Sequence, residues 1–187
     1  KRLNRSMDHQ HICSCRTGRD MRTFRLLDLT LSSPAENLAL DEVLLEELDE
    51  RGGAPLLRFW ESDCPFVVLG RASRVADDVD LTTCEKDGLP ILRRASGGGT
   101  VLQGPGCLSY AFVLPLEWHP DLASIRTTNR FVLERLAATL RQWEPTTSVR
   151  GISDLAIDDR KISGNAQRRT KNALLFHGTL LHGMRGD

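Results

Sequence analysis

Residues 152–181 read ISDLAIDDRKISGNAQRRTKNALLFHGTLL, and the alternation within this stretch decides the fold class. Strand-like pieces are punctuated by the turn signals DDR (158–160) and RTKN (169–172), so the segment is expected to fold back on itself as successive hairpins. Two amphipathic helices precede it. In SSPAENLALDEVLLEELDERGG (32–53), Ser33 and Glu36 make a capping box and Pro34 takes the first helical position. Leu40, Leu44, Leu45 and Leu48 recur at helical spacing, and Gly52 and Gly53 end the run. In SIRTTNRFVLERLAATLRQW (124–143) the apolar face is Phe131, Leu133, Leu136, Ala137 and Leu140. Hairpins mixed with packing helices predict an α+β fold and argue against a doubly wound sheet.

Further strands are expected in TFRLLDLT (23–30), PLLRFWES (55–62), PFVVLGR (65–71), LPILRRA (89–95) and CLSYAFVLP (107–115), with a short helix over DLTTCEKDG (80–88). The second and third of these, separated by DCP, read as a strand pair with a tight connection.

Composition narrows the function classes. With 187 residues, 40% of them hydrophobic, the chain is long enough for one domain with a real core. Lysine plus arginine balances aspartate plus glutamate at 25 each, so no global field favours nucleic acid or an anionic membrane. Apolar runs such as AFVLPL (111–116) fall far short of the roughly twenty residues of a membrane span. Five cysteines, at 13, 15, 64, 84 and 107, are odd in number and lack C-x-x-C spacing. That argues against a disulfide framework or structural zinc and fits a reducing, cytoplasmic setting. The first twenty residues hold five lysines or arginines and no periodicity. Residues 1–21 are therefore expected to be an unstructured leader or tag and residues 22–187 the folded domain.

Two segments bear chemistry. RRASGGGT (93–100) sets three glycines between two strands. No helix follows them, which excludes the phosphate loop and the dinucleotide fingerprint. Successive peptide N–H groups in unusual φ/ψ can still form an anion-binding concavity, yet the glycines alone fit a slack surface loop equally well. Arg93 and Arg94 point to opposite faces of a strand, so one of them is expected to face the loop. In RKISGNAQRR (160–169), Lys161 follows a turn, Gly164 and Ala166 leave space above the sheet, and Asp154 and Asn165 can orient polar groups. The bland alternative is a solvated basic hairpin of Arg160, Arg168, Arg169 and Lys171.

Taken together, these segments resemble a known family. RRASGGGTVLQGPGCLSYAF (93–112) is similar to the glycine-rich ligand loop of lipoate-protein ligases, and ISDLAIDDRKISGNAQRR with LLFHGTLL is similar to their catalytic-lysine segment. PAENLALDEVLL (34–45) resembles the family's first helix and LLRFWESDCPFVVLGR (56–71) its next two strands, in the same order from about Thr23 to Leu181. The resemblance implies a fold shared with biotin protein ligases: a mixed, largely antiparallel sheet with packed helices and the ligand between loop and sheet. It also implies the reaction. Lipoate or octanoate and ATP, with Mg2+ accompanying the nucleotide, give the acyl-adenylate, and the acyl group passes to a lysine on a lipoyl domain of a 2-oxoacid dehydrogenase complex or on the glycine-cleavage H protein.

By the same resemblance Lys161 is the catalytic residue. Substrate and nucleotide contacts fall on Arg94, Ser96, Gly97, Gly98, Gly99 and Thr100 of the loop. Others fall on Asp154, Ser163, Gly164, Asn165 and Ala166, and on His177, Gly178 and Thr179. On its own residues, a histidine in a strand beside a glycine such as His177 is more often hydrogen-bonded structure than catalyst.

This chain departs from the family pattern at LQGPGCLSY (102–110), where many members have FHD, and this puts Cys107 near the pocket. Related octanoyltransferases carry the acyl group on a cysteine, without ATP, which makes Cys107 a candidate nucleophile beside its bland reading as a small buried hydrophobe. In one transferase group the nucleophile lies a little before the lysine, and TTSVRGISDLAIDD (146–159) has no cysteine. In another the loop reads HGPGQ, and here Gln103 stands at the histidine's place. The chain stops soon after the last motif, where the family usually continues. A truncated catalytic domain, an accessory domain or subunit, or a lipoate-binding module without turnover are the corresponding expectations.

Overall fold

The structure, a computed structural model, describes residues 10–17 and 20–184, with side chains from Phe24 onward. In chain order the elements are β1 (Gln10–Thr17), β2 (Asp20–Asp28), α1 (Pro34–Arg51), β3 (Leu56–Trp60), β4 (Phe66–Leu69), α2 (Val75–Asp78), α3 (Leu81–Lys86), β5 (Ile91–Arg93) and β6 (Val101–Gln103). They continue with β7 (Cys107–Pro115), α4 (Ile125–Leu140), β8 (Thr147–Arg150), β9 (Asp154–Ile157), β10 (Arg160–Arg169) and β11 (Ala173–Leu181). One sheet runs β1-β2-β3-β7-β11-β10-β9-β8 and a smaller one β5-β4-β6. Among the described residues only β2–β3 and β4–β5 pair in parallel. The fold is thus the mixed, largely antiparallel α+β arrangement expected. No helix among the described residues is long and apolar enough to cross a membrane.

Strands β7 and β11 form the centre, paired from Cys107↔Leu181 to Pro115↔Ala173. Their alternate side chains feed two cores. Ala111, Val113, Ala173 and Leu175 meet Leu45 and Leu48 of α1 on one face. Tyr110, Leu114, Leu174 and Phe176 meet Phe131, Leu133 and Ala137 of α4 on the other. Coverage on both faces is why these strands read as continuous apolar runs, and each fully buried leucine or phenylalanine contributes about 1.5–3 kcal/mol.

Helix α1 begins as its sequence dictates: Ser33 and Glu36 form both bonds of the capping box, and Gly52 caps the end at φ 65°. Its inward stripe differs from the expected one. Asn37, Asp41, Leu45 and Leu48 are buried, whereas Leu40 and Leu44 are only half-buried. The cause lies on β3, where Arg58 is fully buried. Its guanidinium reaches Asp41 Oδ1 at 2.5 Å, Asn37 Oδ1 at 2.6 Å and the carbonyls of Asn37 and Leu29, so the helix turns its two polar residues inward to satisfy it.

Two further expectations are corrected. Residues 10–17, assigned to an unstructured leader, form β1, paired antiparallel with β2. A strand held by its backbone ladder needs no apolar periodicity, which is why composition did not reveal it. Residues 1–9, 18 and 19 of that leader lie outside the described residues, and its last two residues begin β2. The second correction concerns β3 and β4, which do not pair. β3 lies between β2 and β7, while β4, buried at all four positions, is the centre of the small sheet. Two short apolar runs are compatible with many partners, and long-range packing chose different ones.

Candidate functional site

Lys161 comes from the start of β10, just after a turn in which Asp158 adopts φ 51°. A bulge between Lys161 and Ser163 breaks the β9–β10 register, and from Ser163 to Ala166 four successive residues line one cavity. Bulges re-aim side chains in this way. Lys161 Nζ lies 2.9 Å from Asp154 Oδ2, with the two side chains 58% and 34% exposed. Gly164 gives the lysine room, since a Cβ on it would stand in tight contact, 3.2 Å from both Nζ and Cε of Lys161.

Behind the lysine is a polar network that the sequence reading missed in part. Tyr110, the only tyrosine of the chain, donates to Asn165 Oδ1. Asn165 Nδ2 donates to Ser153 O at 2.8 Å and to Ser163 Oγ at 3.1 Å. Burial pushes the Tyr110 hydroxyl up to about 12, so it stays a donor. Gly178 faces Asn165 across the β10–β11 ladder, and a Cβ there would come within 2.7 Å of Asn165 Cγ.

The glycine loop is fastened through its carbonyls. Arg94 Nη2 donates to Gly97 O and Gly99 O, each at 2.8 Å. Arg168 Nη1 donates to Ala95 O at 3.2 Å, and the Arg71 amide donates to Ser96 O at 2.8 Å. Of the two adjacent arginines only Arg94 serves the loop, since Arg93 holds the carbonyls of Gly70 and Ser73. Among the described residues, no acceptor meets the amides of residues 96–99. Gly98 alone of the three glycines has positive φ, 97°. A loop with tied carbonyls and open N–H groups offers the donors that an anion-binding concavity uses.

Ser96 joins loop to sheet. Its Oγ accepts Arg94 Nε–H at 3.2 Å, and its own hydrogen is left for His177 Nε2 at 2.5 Å. Nε2 is then the acceptor and the ring proton sits on Nδ1. Burial first, and then the charge of Arg94, drive the His177 pKa down to about 4. The folded protein thus keeps His177 neutral where the unfolded chain would take up a proton near pH 6.5. Stability is expected to fall as pH drops through that window, by about 2 kcal/mol at pH 5. Urea unfolding of wild type and His177→Asn between pH 7 and 5 checks this: the variant's profile should be flatter, and an unchanged slope would refute the assignment.

Both segments open on one cavity of about 380 Å³, within the size range of small-molecule sites. Of the residues expected at a site it gathers Arg94, Gly98, Gly99, Asp154, Lys161, Ser163, Gly164, Asn165, Ala166, His177, Gly178, Thr179 and Cys107. Ser96 and Gly97 act instead through the loop's internal bonds. Thr100 is turned away from the cavity, its Oγ1 donating to Asp78 Oδ2 at 2.6 Å. The apolar wall of Leu38, Trp60, Val68, Leu102 and Leu181 was not singled out from the sequence. Trp60 is the inward position of an alternating strand, a signal for core that does not separate core from cavity wall.

Cys107 is buried, and burial raises its thiol pKa above the ordinary value, the opposite of an activated thiolate. Arg168 and Arg169 are not the solvated charges of the bland reading. Besides the Ala95 contact of Arg168, Arg169 Nη2 donates to Leu122 O at 2.5 Å. Among the described residues no three His, Cys, Asp or Glu side chains converge as a metal cage.

Residues 33–187 match the lipoyl protein ligase A/B catalytic domain. The octanoyltransferase LipM of Carboxydothermus hydrogenoformans is 30% identical over 178 residues, covering 86% of this chain and 65% of that protein. The lipoate-protein ligase LplJ of Bacillus subtilis is 30% identical over 151 residues, covering 81% and 43%. The chain therefore spans less than two thirds of either relative. A crystal structure of lipoate-protein ligase A bound with ATP superposes with a TM-score of 0.74 at 28% identity, covering 83% of this chain and 65% of that one.

Proposed function

The chain belongs to the lipoyl protein ligase A/B catalytic-domain family, and on that premise we propose that it activates lipoate or octanoate with ATP and passes the acyl group to a lysine of a lipoyl-domain protein. The observation that carries this reading is the glycine loop, fastened through the carbonyls of Gly97 and Gly99, whose Gly98 and Gly99 line the cavity together with Lys161. Acyl-adenylate formation joins two anions, the carboxylate and the α-phosphate, and needs no protein nucleophile. A carboxylate oxygen bonds to the α-phosphorus and the bond to the β-phosphate oxygen breaks, releasing pyrophosphate.

The loop amides supply neutral donors to the phosphate oxygens, and Lys161, a compact point charge, spans carboxylate and phosphate. Asp154 positions the lysine, and Asn165 with Tyr110 orients polar atoms beside it. The apolar wall from Leu38 to Leu181 suits an aliphatic chain. In the second step the acceptor amine attacks the acyl carbon, AMP departs, and the ammonium proton goes to solvent. Mg2+ accompanying the nucleotide would screen the pyrophosphate's charge; among the described residues no three His, Cys, Asp or Glu side chains form a cage for it.

A second reading, thioester transfer from acyl carrier protein through Cys107, draws on the relatives named octanoyltransferase. The raised thiol pKa and the absence of a cysteine from residues 146–159 weigh against it. Cys107→Ser is expected to leave ATP–pyrophosphate exchange with lipoate within about fivefold of wild type, the equivalent of about 1 kcal/mol. An octanoyl adduct on Cys107 formed without ATP, seen by intact mass spectrometry, would reverse the choice.

A further inference from the structure

We infer that Ile125 and Ile152, with Arg126 and Arg130, form the docking surface for the protein that accepts the acyl group, which meets it through acidic and apolar residues flanking its acceptor lysine. This rests on the acyl-transfer reading above. Ile152 is 80% exposed and Ile125 57%, yet both are held firmly. Gln167 Nε2 donates to Ile125 O at 3.1 Å and to Asn129 Oδ1 at 2.5 Å, and Asn129 Nδ2 donates to Ile152 O at 3.1 Å. Two buried or half-buried amides thus rivet the first turn of α4 to the β8–β9 turn and present an apolar pair to water, the arrangement of a binding surface more than of a loose loop.

The patch adjoins the chemistry. The residue after Ile152 is Ser153, which lines the cavity and whose carbonyl is held by Asn165. A domain seated on Ile152 therefore stands at the wall that carries Lys161.

Charge selects the partner. Arg126 and Arg130 lie one turn apart on α4, both exposed and without a carboxylate partner among the described residues. By contrast, Arg150 and Lys161 nearby are paired with Asp159 and Asp154. The positive end of the α4 dipole adds to the same field. Arg168 and Arg169 of β10 are committed to carbonyls, whereas Arg126 and Arg130 are exposed beside the isoleucine pair and attract an acidic acceptor. Attraction of this kind acts mainly on encounter and weakens with salt.

The test uses the full chain and, as probe, an apo lipoyl domain with glutamates beside its lysine. Binding is measured by titration calorimetry, acyl transfer from preformed lipoyl-adenylate in a single turnover, and ATP–pyrophosphate exchange in parallel. Arg126→Glu/Arg130→Glu and, separately, Ile152→Asp should weaken domain binding and transfer about tenfold at low ionic strength. The charge-reversal effect should shrink at 0.5 M salt and exchange should be unchanged. Wild-type affinity for the domain in all variants overturns the inference, as does a fall in exchange equal to that in transfer. Absence of exchange in the wild type counts against the adenylation reading, and the binding arm still decides the surface.

Discussion

Lys161→Ala is expected to reduce ATP–pyrophosphate exchange by about 10²–10³-fold or more, the scale of removing a main electrostatic stabiliser. Lys161 is the cation of β10 that lines the cavity, its Nζ 2.9 Å from Asp154, and in the proposed reaction it meets the carboxylate and the phosphate. Removing it leaves the charge that develops in the transition state uncompensated, and leaves Asp154 as an unpaired anion repelling both substrates. Folding should be little affected. The pair is substantially exposed, and such pairs contribute less than about 1 kcal/mol, so the melting midpoint should move by no more than about 4 °C. Exchange retained within tenfold would remove Lys161 from the chemistry. A large drop in melting midpoint would show that the residue is structural.

The second large effect is at Gly98. Its φ of 97° is a conformation that a β-branched residue resists, and a Cβ would stand 2.8 Å from Arg94 Nη2. Valine here costs about 1–2 kcal/mol in backbone strain and pushes on the guanidinium that holds the carbonyls of Gly97 and Gly99. Once those bonds loosen, the open amides lose their common orientation. Misplacement on the ångström scale lowers catalysis by about 100-fold, so Gly98→Val should cut the kcat/KM for ATP by that much while the exposed loop limits the stability loss. Gly97→Ala is the internal control: the position lacks positive φ, and nothing lies within 4 Å of a Cβ added there. It should stay within about fivefold of wild type, or about 1 kcal/mol. A kcat/KM for Gly98→Val within about fivefold of wild type would mean that the loop is merely a surface connection.

Much of the candidate site was legible because its residue types are unusual for their setting. A run of three glycines between strands, and a lysine followed by small residues, are hard to explain by packing alone, and both segments line the cavity. The roles within them were less legible. Arg94 and Ser96 read as ligand contacts but also make the loop's internal bonds, and Thr100 bonds Asp78 outside the cavity. His177 resolves into the acceptor of Ser96. Tyr110 and Trp60 were passed over because an aromatic residue in a strand carries the pattern of a core residue whether or not one edge meets a cavity.

The sequence by itself determined the local features. The α1 cap, the helical spans, the hairpins of residues 152–181 and the placing of glycines where backbone must turn follow from propensities, periodicities and turn chemistry that act over a few residues. Only the tertiary structure decided what depends on distant partners: that β3 joins β2 and β7 while β4 joins a separate sheet, that α1 turns Asn37 and Asp41 inward to a buried Arg58, and that Ser96 meets a histidine 81 residues away. An unpaired strand edge or a buried charge is costly whatever its neighbours in sequence, and the free energy is recovered only by groups that the fold brings up from elsewhere in the chain.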